Sequence, residues 1–226
     1  MSVPGSTFPP LPPQPPEPPR PRHDPWHPEP RPATPGPVSA SAALVVGGGD
    51  WLAERLLEQR VVTLSGELDA DAVNRAVAEL ALLDATGDDP VRLRLSGVGA
   101  DLEGALTLVD ALDLVGVPVH ATSLGTLSGP AVAVLAVADR RVAGAHAMVR
   151  LCEPRAPRGV PGHAVEAWAA EHARQLRRLQ ERLAEACGRP VDEVADDMRA
   201  GRALDAEEAN TYGLVDAGTD ARPPSR

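Results

Sequence analysis

The side chains that could do chemistry in this chain are few. Ser128 stands in Gly125-Thr126-Leu127-Ser128-Gly129-Pro130, and Cys152 in Leu151-Cys152-Glu153-Pro154. A serine hydroxyl is a weak nucleophile without a base to take its proton. A cysteine attacks as the thiolate, which at neutral pH needs a neighbouring positive charge. The residues alone fit a quieter reading of both. Ser128 precedes Gly129-Pro130 and an apolar run, where serine serves as a helix N-cap, and Cys152 reads as a small buried residue. His120 opens a strand, His146 sits by a turn, and His163 and His172 fall in or beside a long helix, all places for surface or packing histidines. No Cys/His cluster has metal-ligand spacing, so neither a metal nor another cofactor is expected.

The elements that must position these residues follow from periodicity. Asp50–Gln59 reads as a short helix capped by Asp50, and Val61–Leu64 as a β-branched strand ending at Ser65-Gly66. A helix is expected from Ala70 to Ala85, with Val73, Val77, Leu80 and Leu83 near helical spacing. Val91–Leu95 alternates as a strand, Ser96–Gly99 reads as a Gly-rich turn, and Leu102–Leu114 as a helix. Pro118–Thr122 is the next strand, Gly129–Ala138 the next helix, and Arg141–Ala143 and Ala147–Leu151 are further strands. Strands alternating with helices imply βαβ units and a mainly parallel sheet with helices on its faces. A long helix is expected from Gly162 to Cys187, with an apolar seam of Val165, Trp168, His172, Leu176, Leu179 and Leu183. That seam is longer than one small sheet covers and is expected to carry subunit contact.

Composition divides the 226 residues. Sixteen of the 25 prolines lie between Pro4 and Pro37. Proline lacks a backbone N–H and fixes φ, so residues 1–40 read as a disordered, partly polyproline-II arm. Residues 41–218 read as the folded domain, and residues 219–226 as a disordered tail. The net charge of −10 argues against a nucleic-acid partner. No apolar run reaches the roughly 18–20 residues that span a bilayer, and the N-terminus lacks a signal-peptide pattern. A cytoplasmic protein with no membrane partner is expected.

Several local patterns are specific. Arg55-Leu56-Leu57-x-x-Arg60 runs into Val61-Val62-Thr63-Leu64-Ser65-Gly66-Glu67-x-Asp69. Near the C-terminus stand Gly188-Arg189-Pro190, Leu204-Asp205-Ala206-Glu207-Glu208-Ala209 and Tyr212-Gly213-Leu214-Val215-Asp216. With the order of elements, these resemble the proteolytic subunit of the ATP-dependent Clp protease, a serine peptidase family, over about three-quarters of the chain. The resemblance implies an α/β fold, the crotonase-like ββα superhelix with a long handle helix.

It also implies where the catalytic parts fall. The family's general-base histidine stands in Ile-His-Gln-Pro, and Cys152 occupies that position here. The acid falls on Asp197, whose alternative reading is a solvated helix charge beside Asp196. The family's nucleophile closes Gly-x-Ala-Ala-Ser. Without a gap that position is Gly129, and with a deletion inside the turn it is Ser128. The oxyanion turn Ser-Pro-Gly-Gly becomes Ser96-Gly97-Val98-Gly99, where Val98 is expected to obstruct close approach and Gly99 is kept. A thiol is a poor proton acceptor and has no second nitrogen to bridge acid and nucleophile.

Three functions compete. The first is a non-catalytic Clp-like ring subunit or scaffold, partnered by itself, by a catalytically complete paralogue, or by a Clp ATPase unfoldase. The second is an active serine-type endopeptidase with a rearranged site on Ser128 or Cys152. The third is a crotonase-type acyl-CoA enzyme, because that fold is shared. The prolines between Pro154 and Pro161 remove ladder donors, so strand pairing between rings is expected to be weak there.

Overall fold

Alternation of β-branched and polar residues makes Val61–Leu68 the first strand, β1, with Val62, Leu64 and Leu68 turned into the core. The computed structural model describes residues 51–154 and 165–216. Outside those residues lie the proline-rich arm, the Asp50 cap, His163, the C-terminal tail and most of the Pro154–Pro161 segment. Residues 51–58 form helix α1.

Helix α2 (Ala70–Thr86) starts where Asp69 Oδ1 accepts from Ala72 N at 2.8 Å, and buries Val73, Ala76, Leu80 and Leu83 on one face. Helix α3 (Leu102–Leu114) is capped the same way by Asp101, at 2.7 Å from Gly104 N. Both helices keep the expected limits to within a residue.

The second strand does not stop at the glycines. β2 runs from Val91 to Ala100, so Ser96–Gly99 is a bulged continuation of the strand rather than a turn. The register slips between Ser65 and Gly66, where Ser65 faces Ser96 but Gly66 faces Val98. Gly97, at φ 61°, absorbs the extra residue, a conformation glycine adopts without a Cβ penalty.

The remaining strands are β3 (Val119–Leu124), β4 (Thr126–Ser128), β5 (Arg140–Ala143), β6 (Met148–Arg150) and β7 (Ala203–Leu204). Their order is β5-β3-β2-β4-β6-β7, with β1 paired to β2. β3 accompanies β2 from Val91 to Ser96 and then leaves, and Gly99 of β2 pairs with Ser128 of β4 instead. Gly125, at φ 68°, makes the corner between β3 and β4. The sheet therefore curls, and its parallel strands end in an antiparallel β6–β7 pair.

The expected helix after Ser128 is shorter. A 3-10 turn, Gly129–Ala131, leads into α4 (Val132–Ala136), which is buried on every side. α5 (Val165–Cys187), α6 (Val191–Ala200) and α7 (Ala206–Tyr212) complete the chain, α7 held by an Asp205–Glu208 capping box. Arg141 ties the end of the domain together. It bonds Asp216 through its side chain and backbone, the Gly213 carbonyl at 2.8 Å and the Ala186 carbonyl at 3.1 Å.

The seam of α5 is not free along its length. Leu179 and Leu183 are 0% exposed within this one chain, and Leu176 is half-buried. These leucines pack on the domain's own core and cannot form an open partner surface. Only the N-terminal part of the helix, from Val165 (46% exposed) through the stacked Trp168–His172 pair, extends past them. Among the described residues no helix is long and apolar enough to cross a membrane.

Candidate active site

The ends of β2 and β4 and the segment after β6 converge on a cavity of about 130 Å³. Each strand delivers a residue of interest to it: Gly99 from β2, Ser128 from β4, and Cys152 two residues beyond β6. The turn after β4 adds Gly129.

Gly129 sits at φ 63°, and a Cβ built on it would lie 3.6 Å from Cys152 Sγ and 3.7 Å from the Cys152 carbonyl oxygen. The missing side chain of Gly129 is thus aimed at Cys152 at ordinary contact distance. Ser128 is extended at φ −134°, ψ 147°, one residue before the 3-10 turn, and its hydroxyl makes no capping hydrogen bond. The helix-capping role expected of it is corrected. The first turn here is 3-10 and starts with Gly129-Pro130, and proline has no N–H to offer.

Val98 does not obstruct the cavity. It is 1% exposed and packs into the core, and the residue facing the cavity is Gly99. A Cβ on Gly99 would collide with the carboxylate of Glu67. Glu67 therefore lies against the strand end that faces the turn after β4. Asp101 and Glu153 also line the cavity, and no Arg, Lys or His side chain among the described residues does. Arg150, two residues before Cys152, is absent from the lining, so among the described residues no cation lines the cavity beside the thiol. His120 and His146 lie elsewhere, and His172 stacks on Trp168 with ring centroids 4.7 Å apart. An oxyanion needs donors aimed at its developing charge, and the Glu67 carboxylate at the strand end does the reverse, whereas the Asp101 carboxylate caps α3 and that of Glu153 lies 4.0 Å from Arg199.

Asp197 belongs to another constellation. Tyr212 Oη donates to its Oδ2 at 2.9 Å, and Arg202 reaches both of its oxygens at 3.2 Å. Arg189 and Arg202 lie over the Tyr212 ring, at 4.0 and 5.4 Å from its centroid. Burial first, and then the bond to Asp197, hold the Tyr212 phenol well above its ordinary range. Asp197 is 17% exposed, so the reading of a solvated charge fits Asp196, at 75%, and not Asp197. Position along α6 does not show this, because Tyr212 reaches Asp197 from α7.

The residue across from Cys152 is a different one. β6 and β7 pair with Val149 opposite Leu204 and Arg150 opposite Ala203. Leu151 N then donates to Arg202 O at 2.8 Å, which continues the register and sets Gly201 opposite Cys152. Gly201 is the αL cap of α6, at φ 70°, and a Cβ there would meet nothing within 4 Å. Sequence reasoning passed over Gly201 because a glycine after a helix has an ordinary reading as its stop.

A family model described as Clp protease matches residues 49–221. The ATP-dependent Clp protease proteolytic subunit 3 of Rhodococcus jostii (strain RHA1) is 34% identical over 174 residues, covering 74% of this chain and 84% of its own. The ATP-dependent Clp protease proteolytic subunit of Pleurastrum terricola is 30% identical over 175 residues, covering 74% and 88%. This chain belongs to the Clp protease family.

The curled parallel sheet with helices on its faces is the α/β architecture expected of a Clp subunit. Within it, the cavity of this Clp homologue holds a thiol, a hydroxyl and three carboxylates. Cys187, the second thiol, is held apart from it. Burial pushes it up to about 11 against the opposing pull of Arg141 and Arg189, so it stays protonated at neutral pH. Among the described residues no group of His, Cys, Asp and Glu side chains could hold a metal ion.

Proposed function

We propose that this Clp proteolytic-subunit homologue is non-catalytic and serves in the cytoplasm as a ring subunit or scaffold in ATP-dependent protein degradation. The observation that carries the reading is the pairing of Gly129 with Cys152. The side-chain position aimed at Cys152 has no side chain, and Cys152 has no imidazole to take a proton. Gly201 opposite Cys152 adds a third vacancy, where a carboxylate could otherwise orient a base. The carboxylate of Glu67 opposes negative charge in the same space. Its partners are further copies of itself, a catalytically complete Clp paralogue, or a Clp ATPase unfoldase.

The test is activity-based labelling of the full chain with a fluorophosphonate, alongside cleavage of fluorogenic peptides. No adduct and no cleavage are expected. The competing reading is a rearranged endopeptidase on Ser128, whose uncapped hydroxyl lines the cavity. Stoichiometric labelling that disappears in Ser128→Ala would establish that reading and overturn ours.

A further inference from the structure

Among the described residues β1 pairs with β2 alone, so the sheet they form ends there on a free edge. Arg92 N donates to Arg60 O at 2.9 Å, and the register partner of Arg92 is Val61. In such a parallel pairing Arg92 bonds the two neighbours of Val61, so the backbone N–H and C=O groups of Val61, Thr63 and Ser65 point away from β2. They border a groove of about 300 Å³, walled by Leu52 and Leu56 of α1 and by Ala72 and Arg75 of α2. An open edge between two helices is a template for an added strand.

We propose that Leu44-Val45-Val46 of this same chain occupies the groove as an extra strand on the β1 edge. The described residues begin at Trp51, beside the groove wall at Leu52. Between Val46 and Trp51 stand Gly47-Gly48-Gly49-Asp50, four residues that reach up to about 13 Å and whose glycines allow a tight reversal. Leu44-Val45-Val46 is uncharged and rich in β-branching, the composition that suits a pleated, half-buried strand. It is also the only run of large aliphatic residues between Trp26 and Trp51. A segment tethered this closely competes at an effective concentration of order millimolar, ahead of a second copy in dilute solution. The strand would seal an edge that otherwise recruits another chain.

Amide hydrogen exchange on the full chain, read at single residues, tests this. The Thr63 and Ser65 amides are expected to exchange at least tenfold more slowly than unprotected ones. Val45→Asp is expected to release these two while Val62 and the β3 amides stay protected, and Val45→Ile to leave all unchanged. If Val45→Asp loosens the whole sheet, Val45→Asn becomes the deciding variant and must release the two edge amides alone. Unprotected Thr63 and Ser65 in the wild type would overturn the proposal. So would protection that survives both polar substitutions, or protection that fades on dilution, which would assign the edge to a second copy.

Discussion

Building a serine at position 129 tests the site geometry directly. Gly129→Ser must place an L-residue at φ 63°, which costs about 1–2 kcal/mol because Cβ crowds the following carbonyl. No clash adds to that, since the nearest atoms to the new Cβ are 3.6 and 3.7 Å away. At about 2–4 °C per kcal/mol for a domain of this size, the melting temperature should fall by about 2–8 °C. The new hydroxyl would lie next to residue 152, so Gly129→Ser combined with Cys152→His should react with a fluorophosphonate, and mass mapping should find the adduct at position 129. Cys152→His alone should stay unlabelled, because Ser128 is set in the extended backbone of β4 and not on the turn that faces residue 152. Adding Gly201→Asp should speed labelling of the double variant by roughly 10²-fold or more, since an orienting carboxylate is worth up to about 10⁴ in such triads. An adduct on Ser128 in Cys152→His would refute the argument, as would a double variant that folds but never reacts.

Other outcomes follow from the packing. Leu179→Ala should cost about 2–5 kcal/mol, since a fully buried leucine leaves a cavity, and thermal unfolding should show a drop of about 4–20 °C. Val165→Glu, on the extending end of α5, should leave the melting temperature within about 2 °C, because exposed sites move stability little. If that end carries subunit contact, light scattering should record a smaller particle for the variant. Burial would raise the Asp216 carboxyl, but the Arg141 hydrogen bonds outweigh it and hold it below the ordinary value. Its stabilisation is thus present above the unfolded-state pKa and lost as pH falls through the lower folded one. Asp216→Asn should lower stability at neutral pH and flatten the acid limb of a denaturation series, and an unchanged limb would reject the linkage. Deleting residues 1–40 should move the melting temperature by no more than a few degrees, because that stretch has little apolar surface to bury.

What was legible in the sequence was local. The limits of α2 and α3 were legible because the periodicity that marks a helix lies within the helix itself. The face of α2 could be read because its buried residues recur within one helix. The family motifs were legible for the same reason, as short runs of adjacent residues. What only the tertiary structure decided depends on register and on partners far along the chain. Ser96–Gly99 reads as a turn by composition, yet pairing to β1 on one side and β4 on the other holds it in the strand. The helix seam reads as exposed until the core covers Leu179 and Leu183. Asp197 reads as a surface charge until Tyr212, fifteen residues on, donates to it. Half of the proposed loss of catalysis rests on the sequence, where the family resemblance puts Cys152 at the base position. The other half, Gly129 facing that cysteine and Gly201 across from it, exists only once β4, β6 and β7 are in register, because a glycine carries no side chain to announce what it faces.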